Sequence, residues 1–250
     1  MNAFSQKVFF SFPVPTEEEP TSDHLQLLES LRQQGFSPVT LPLSVLQKLY
    51  PLCRQAEKGI TATLTCHGSD WIVTDVESGD TRSRHYGLAV DYGSTTIVME
   101  LVDLNSGAVL SRQREMSGQI AYGTDILTRI TFTMEKPENM ELLQQATVET
   151  FHRLFDAIQE DTGIDPRVLS ILVISGNTTM IHFLLKLNAW TVFASPFAPV
   201  TKAPGWIFGR EVGMDFDGNH HGGQMPGINA GVLLNVIKEL VKGLHCGLLQ

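Results

Sequence analysis

Tyr86-Gly-Leu-Ala-Val-Asp91-Tyr92-Gly93-Ser94-Thr95-Thr96-Ile-Val-Met-Glu100 combines an apolar run, a polar bend and a second apolar run. This pattern predicts a β-hairpin whose tip holds a glycine followed by three hydroxyl residues. Backbone N–H groups and hydroxyls at such a tip can bind an anion, and the carboxylate of Asp91 can hold a hydrated cation. Two interpretations stay open: a phosphate-and-magnesium corner of a nucleotide site, or an ordinary hairpin with a polar end.

The composition is that of an acidic globular protein. The 250 residues are 42% hydrophobic and 18% charged, with a formal net charge of −9, and they suffice for one or two domains. The negative charge disfavours nonspecific nucleic-acid binding, so nucleotide phosphates would have to be bound locally. No apolar run has the length of a membrane-spanning helix, and the run at 8–12 is too short for a signal peptide. We therefore expect a cytoplasmic protein that binds neither membrane nor nucleic acid.

The cysteines indicate a reducing compartment. Cys53, Cys66 and Cys246 are far apart and odd in number, and they lack any C-x-x-C spacing. This distribution disfavours a zinc finger, a disulfide framework and an iron–sulfur cluster held by this chain alone. We expect buried or partly buried free thiols.

Residues 1–84 are predicted to form a small α+β domain without site chemistry. Thr21-Ser22-Asp23 is a helix N-cap cluster, and Gly35 ends the helix that follows. A second helix is expected over 43–50, with Ser44 as its cap; Pro51 favours a break there but does not forbid a further turn. The alternating runs predict strands at 7–12, 60–66 and 71–76.

Residues 85–215 are predicted to form a layered α/β domain with a mixed sheet. Alternation and turn residues predict three antiparallel strands at 86–92, 95–104 and 108–116. Apolar periodicity predicts a helix that starts at Thr124 or Asp125 and a long helix over 140–162. The continuous apolar run 168–174 is typical of a central, parallel strand.

A second polar corner follows that apolar strand. Ser175-Gly176-Asn177-Thr178-Thr179 leads directly into a helix, and a strand, a polar corner and a helix N-terminus together favour an anion. The corner could face the same cleft as Gly93, contacting phosphate or orienting a water molecule. It could equally serve only as the helix cap.

The remaining residues carry weaker signals. Proline-rich segments predict rigid loops at 195–200 and 204–206. In the glycine-rich segment 215–223, His220 and His221 with Asp215 and Asp217 form a candidate metal cluster, but adjacent histidines in such a loop are more often solvated. Apolar spacing predicts a final helix over 230–244.

Four strings in this order carry a family resemblance: Y-G-L-A-V-D-Y-G-S-T-T-I-V (86–98), Q-I-A-Y-G-T-D-I-L-T-R-I (119–130), V-I-S-G-N-T-T-M (173–180) and S-P-F-A-P-V (195–200). Over residues 8–212 the chain resembles the reductive activators of corrinoid proteins. These are ATP-driven members of the acetate and sugar kinase, Hsp70 and actin superfamily. The usual form of the first motif is D-I-G-T-T-T, and Tyr92 and Ser94 are mild departures from it.

The resemblance implies a domain organisation. Residues 1–84 would be the family's middle domain. Residues 85–215 would be the first lobe of a ribonuclease H-like, actin-like ATPase. Residues 216–250 would hold a glycine-rich loop and a helix of an incomplete second lobe. Full-length relatives also have a ferredoxin-like domain with a [2Fe–2S] cluster, whose cysteine run this chain lacks, and a second phosphate motif that does not appear after residue 215.

The resemblance also implies residue roles. Asp91 would hold Mg²⁺, through water, and catalysis would consist mostly of positioning and charge neutralisation. The phosphates of ATP would be bound by Gly93, Ser94, Thr95 and Thr96, with Gly176, Asn177, Thr178 and Thr179 as the second set. For four residues of the second string we favour a structural or partner-contact role: Gln119, Tyr122, Asp125 and Arg129. Asp125 and Arg129 would form an i,i+4 pair on the helix surface.

The activity implied by the resemblance is ATP-dependent reductive activation of a corrinoid protein. The partner would be a corrinoid protein or a corrinoid-dependent methyltransferase, and a homodimer stays open. Two alternatives remain. The chain could be a non-catalytic scaffold, because the second lobe is missing from the pattern. It could also be a small-molecule kinase of the same superfamily, which the second and fourth strings disfavour.

Overall fold

Two β-sheets, one in each part of the chain, organise the fold. The computed structural model describes residues 4–11, 16–18, 20–54, 59–67, 69–166, 169, 171–202, 204–214 and 231–234. The first sheet consists of four strands: β1 (Ser5–Phe10), β2 (Val39–Thr40), β3 (Ile60–His67) and β4 (Asp70–Ser78). Their order is β1-β3-β4-β2, with β2 parallel to β4 and the other neighbours antiparallel.

Two helices complete this N-terminal domain: α1 (Asp23–Gln33) and α2 (Leu43–Cys53). The hydroxyl of Ser22 accepts a hydrogen bond from the Leu25 amide at 3.3 Å, which is the N-cap that the sequence predicted. The core is formed by apolar side chains of both helices and of the sheet; its members include Leu27, Leu31, Val45, Leu49, Ala62, Leu64 and Val73.

Helix α2 differs from the prediction at both ends. It starts after Pro42 rather than with Ser44 as its cap, and Pro51 lies inside it instead of ending it. Only two helical residues follow Pro51, so the missing N–H affects the last turn alone. Because Leu49 and Cys53 are buried on either side of Pro51, packing holds this turn in the helix.

The second sheet combines a meander with parallel strands. The antiparallel meander is β5 (Tyr86–Tyr92), β6 (Thr96–Asp103) and β7 (Val109–Met116), close to the predicted bounds. The remaining strands are β8 (Ile171–Gly176), β9 (Gly205–Phe208) and β10 (Gly231–Leu234). The order is β7-β6-β5-β8-β10-β9, with β8 parallel to both β5 and β10 and with β9 antiparallel to β10.

Helices pack against one face of this sheet: α3 (Ile126–Glu135), α4 (Glu138–Thr162) and α5 (Thr178–Leu184), with the short α6 (Trp190–Phe193) beside α3. Helix α4 ends at Gly163, whose φ of +71° is the left-handed conformation that glycine adopts easily. The buried core joins α4 to β5, β6, β8 and α5; its members include Leu88, Val90, Met99, Phe151, Phe155, Leu172 and Phe183. Among the described helices, none has the length and apolar character required to cross a bilayer.

Strands β9 and β10 overturn two predictions. The sequence predicted a rigid loop at 204–206 and a helix over 230–244, but 205–208 and 231–234 are strands. The backbone of β10 pairs with β8 on one side and with β9 on the other, so its hydrogen bonds are made between distant segments. Residue 230, residues 235–244 and the glycine-rich segment 215–223 lie outside the described residues.

His85 joins the two parts of the chain. Its Nε2 lies 2.9 Å from the Ser5 hydroxyl of β1, and its carbonyl accepts a hydrogen bond from the Leu104 amide at 2.8 Å, just after β6. The imidazole is buried at 4% exposure. Burial first, and then the charge of Lys7, lower its pKa to about 4, against smaller raising effects of Asp103 and Glu77.

Acid should therefore destabilise the protein through His85. The folded state favours the neutral imidazole. The contribution of His85 to the free energy of unfolding is therefore complete above pH 6.5, and it is lost progressively as the pH falls towards 4. At pH 5 this histidine should lower the free energy of unfolding by about 2 kcal/mol relative to neutral pH. We expect His85→Gln to reduce the difference in urea midpoint between pH 7.5 and pH 5, while His24→Gln, a change of an exposed histidine, should not. An equal pH dependence of the wild type and His85→Gln would contradict this assignment.

Candidate functional site

The hairpin tip lies between the ends of β5 and β6. Gly93, Ser94 and Thr95 form the bend, and Thr95 and Thr96 are exposed. The carbonyl of Thr95 accepts a hydrogen bond from the Ser117 amide at 2.9 Å, which anchors the tip to the segment after β7. Asp91 is exposed at the second-to-last position of β5. A carboxylate and three hydroxyls thus reach one edge of the sheet.

Gly93 is required by the close approach of the backbone. A Cβ at this position would collide with the carbonyl oxygen of Thr96 across the bend. That oxygen belongs to the main chain and cannot rotate away as the end of a flexible side chain can. The tight bend is therefore compatible only with glycine, which supports a preformed backbone cradle at the tip.

The second polar corner lies at the end of β8. Asn177 is the N-cap of α5, and its side-chain oxygen accepts a hydrogen bond from the Met180 amide at 2.9 Å. Asn177 is exposed and Thr178 is half-buried, whereas Thr179 is buried at 5% exposure. Of the predicted residues of this corner, Thr179 is therefore the least accessible to a ligand.

The sheet brings the two corners together. Strands β5 and β8 are parallel neighbours, with Asp91 opposite Ser175 and Tyr92 opposite Gly176. A Cβ on Gly176 would lie 3.0 Å from the Tyr92 carbonyl oxygen, so the backbones approach closely here. Carboxyl ends of adjacent parallel strands are the usual place for a ligand in α/β sheets.

The sheet register also places Ser175 and Glu100, to which the sequence assigned no role, on the face of the sheet that carries Asp91. Directly paired residues share a face, so Asp91, Val98 and Ser175 form one row on the same side of the sheet. Glu100 lies in the neighbouring row, opposite Ala89, and its carboxylate is 3.4 Å from Arg112. Strand alternation alone places residue 100 on the face of residue 96, but only the register shows that this is also the face of Asp91.

The segment between β7 and α3 is largely structural. Asp125 caps α3, accepting hydrogen bonds from the amide and hydroxyl of Thr128 at 2.9 and 2.7 Å, and these bonds lower the pKa of its carboxyl group. Tyr122 stacks on Phe132 with ring centroids 5.2 Å apart.

Arg129 contradicts the predicted surface pair. Its side chain is 0% exposed and donates through Nε to the Gly123 carbonyl at 2.8 Å, while Asp125 is occupied as a cap. The turn that precedes α3 directs Arg129 inwards, and i,i+4 spacing alone could not show this. Desolvation lowers the pKa of the guanidinium group.

Metal clusters and thiol chemistry find little support in the described residues. Within them there is no group of three or more His, Cys, Asp or Glu side chains that could hold a metal ion. The candidate cluster at Asp215, Asp217, His220 and His221 lies outside them. Neither Cys53 nor Cys66 forms a disulfide, and burial raises the pKa of Cys53 to about 12, so this thiol is unreactive.

Comparison with known proteins identifies the family. The family model of the RACo linker region matches residues 1–83, and that of the RACo middle region matches residues 86–231. The chain belongs to the RACo family. The match to the middle-region model extends past residue 212, where the resemblance of the motifs ended. The description "middle region" therefore applies to the domain with the larger sheet, and the description "linker region" applies to the N-terminal domain.

Two relatives support this assignment. The chain is 32% identical over 131 residues to the corrinoid activation enzyme RamQ of Eubacterium limosum, which covers 52% of this chain and 22% of RamQ. A solved structure of the reductive activator for corrinoid, iron-sulfur protein superimposes with a TM-score of 0.79 at 25% identity, covering 93% of this chain and 36% of that one. The RACo family and the predicted α/β fold, with an actin-like lobe, are thus confirmed. The chain spans about a fifth to a third of the length of these relatives.

Proposed function

We propose that this RACo-family chain supplies one half of a phosphate-binding site, built from two corners, and the lobe that carries it, to an ATP-driven activator of a corrinoid protein. The observation that carries the proposal is the pairing of two glycine- and hydroxyl-bearing corners at the carboxyl ends of β5 and β8, with exposed Asp91 beside them and opposite Ser175. The names of RamQ and of the reductive activator support the corrinoid protein as the partner.

The residues at this edge fit Mg-ATP. The collision that a Cβ on Gly93 would meet shows that the bend is a close-fitting backbone turn, as a phosphate cradle requires. In the proposed site Gly93, Ser94, Thr95 and Thr96 bind the terminal phosphates through amides and hydroxyls. Asp91 holds the magnesium ion through water. Bound Mg²⁺ would neutralise the charge of the phosphates.

The second corner completes this half of the site. Gly176 allows β8 to approach β5, and Asn177 and Thr178 reach the same edge of the sheet. Their amide and hydroxyl groups could contact phosphate or orient an attacking water molecule, and the backbone of Thr179 could add an N–H. We place the adenosine pocket in a second lobe.

Electron transfer is assigned to another domain. A [2Fe–2S] cluster is held by four cysteine thiolates, and the sequence contains three cysteines, of which Cys53 is buried in the N-terminal core. The chain would therefore couple ATP to conformational change, while a separate iron–sulfur domain passes the electron to the corrinoid. The absence of a disulfide at Cys53 and Cys66 fits a reducing cytoplasm.

Calorimetric titration of the whole chain tests the proposal. Mg-ATP should bind with a dissociation constant of about 1 mM or tighter. AMP should bind far more weakly because it lacks the β- and γ-phosphates that the two corners would hold. Omitting Mg²⁺ should also weaken ATP binding. If Mg-ATP at several times about 1 mM gave no heat of binding, the chain would not contain a phosphate site. The non-catalytic scaffold would then be the remaining function.

A further inference from the structure

A buried polar network lies directly behind the hairpin tip. Its members, Tyr92, Gln119, Thr147 and Arg129, come from four different elements, and all four side chains are 0% exposed. The Tyr92 hydroxyl is 2.7 Å from the Thr147 hydroxyl, and Gln119 Nε2 lies 3.0 Å from the first oxygen and 2.8 Å from the second. We refer to these residues as the Tyr92 network.

The hydrogen bonds of this network form a consistent chain of donors. The Tyr92 hydroxyl donates to Thr147 Oγ1, and the Thr147 hydroxyl donates to the Leu143 carbonyl at 3.2 Å. The two N–H groups of Gln119 Nε2 are shared among three acceptors, the same carbonyl at 3.0 Å and the two hydroxyl oxygens. Each hydroxyl thus both donates and accepts, so the position of the Tyr92 ring is specified by directional bonds as well as by packing.

The network reaches both polar corners. Tyr92 immediately precedes Gly93, and its backbone lies against Gly176 of the second corner. Arg129 Nη1 lies 3.4 Å from Gln119 Oε1 and 3.8 Å from the sulfur of Met180, in the first turn of α5. The Arg129 guanidinium meets carbonyl and amide oxygens, and its Nη2 is buried without a hydrogen-bond partner.

The burial of these polar groups has to be compensated by their hydrogen bonds. Burying a hydroxyl or a guanidinium group is unfavourable unless it is compensated, and the surroundings of Tyr92, including Phe151 at a ring-centroid distance of 5.8 Å, are otherwise apolar. The gain from such a network is a single defined geometry. Here the network fixes the position of Tyr92, the residue that precedes the hairpin tip.

We propose that Tyr92 is a positioning residue: through Gln119 and Thr147 it fixes the end of β5, so that the Gly93–Thr96 tip is held ready for the phosphates of a nucleotide. Arg129 extends this positioning to the start of α5 and thereby couples the two corners. The inference rests on the proposed nucleotide site, and it assigns a role to residues that do not touch the ligand.

Hydroxyl-specific variants test this role. Thr147→Val removes the hydroxyl and keeps the shape, whereas Thr147→Ser keeps the hydroxyl and loses a methyl group; Tyr92→Phe removes the other hydroxyl. We expect Thr147→Val and Tyr92→Phe to speed hydrogen exchange of the 92–98 segment about fivefold or more in the free protein. The same variants should weaken Mg-ATP binding about tenfold. Thr147→Ser should stay within about twofold of the wild type in both measurements.

Ile158→Val is the matched control for lost packing. Ile158 is buried on the same helix, eleven residues from Thr147 and therefore about 16 Å away along the axis. It should leave tip exchange and Mg-ATP affinity within about twofold. Equal effects of Ile158→Val and Thr147→Val, or unchanged tip exchange in Tyr92→Phe and Thr147→Val, would overturn the proposal. If the wild type binds no ATP, the proposed function fails, and tip exchange alone decides whether the network fixes the tip.

Discussion

Asp91→Asn should abolish most of the magnesium dependence of ATP binding while leaving the protein folded. A hydrogen bond or contact that involves a full charge contributes about 1.5–3 kcal/mol, so the affinity for Mg-ATP should fall roughly 10- to 100-fold. The asparagine side chain keeps the shape but loses the charge that attracts a hydrated Mg²⁺. Because Asp91 is exposed, the free energy of unfolding should change little. Titrations with and without Mg²⁺, together with thermal unfolding, provide the measurements.

Asp103→Asn is the matched control for this change. Asp103 lies on the adjacent strand, at the opposite end of the same hairpin, and its carboxylate accepts a hydrogen bond from the Asn105 amide at 2.8 Å. An asparagine oxygen can accept the same bond, so this variant should bind Mg-ATP as the wild type does. Equal affinity of Asp91→Asn and the wild type at every Mg²⁺ concentration would remove Asp91 from the metal site.

Gly93→Ala should disrupt the tip itself. The new Cβ would meet the Thr96 carbonyl oxygen, so the bend must open. Forced overpacking typically costs 1–3 kcal/mol, and here we expect about 3 kcal/mol because the opposing atom belongs to the backbone. Opening the bend would move the amides and hydroxyls of residues 94–96 away from the proposed phosphate position, so Mg-ATP affinity should fall more than about tenfold. Urea unfolding and calorimetric titration check the two effects separately.

Gly107→Ala is the control for the general loss of stability that follows when a turn glycine is replaced. Gly107 lies in the next bend of the same meander, has a φ of +77° and has open space around it. Alanine there should cost about 1 kcal/mol from its strained φ and leave nucleotide binding unchanged. Retention of wild-type Mg-ATP affinity by Gly93→Ala would show that the tip does not cradle phosphate.

Local patterns predicted the meander well. Strands expected at 86–92, 95–104 and 108–116 are observed at 86–92, 96–103 and 109–116. Alternating side chains and glycine-bearing bends specify these strands from neighbouring residues alone. The same is true of α4, whose apolar stripe and Gly163 terminus are local features.

Predictions failed where distant segments decide the structure. The backbone of β10 is a strand because β8 and β9 pair with it on both sides, and those partners cannot be read from residues 231–234. Pro51 stays helical because its neighbours Leu49 and Cys53 are buried against the sheet. Arg129 is buried because the turn at Gly123 supplies an acceptor that its own helix lacks.

The sequence by itself determined the hairpin with Asp91 at its end, the polar corner after β8 and the family resemblance, because each depends on a short run of residues. The tertiary structure decided that these two corners lie side by side. More than eighty positions separate Asp91 from Ser175, and only the parallel pairing of β5 with β8 brings them opposite each other. It also decided that Tyr92 and Arg129 face inwards. Their hydrogen-bond partners come from other elements, and without those partners the burial of both groups would be unfavourable.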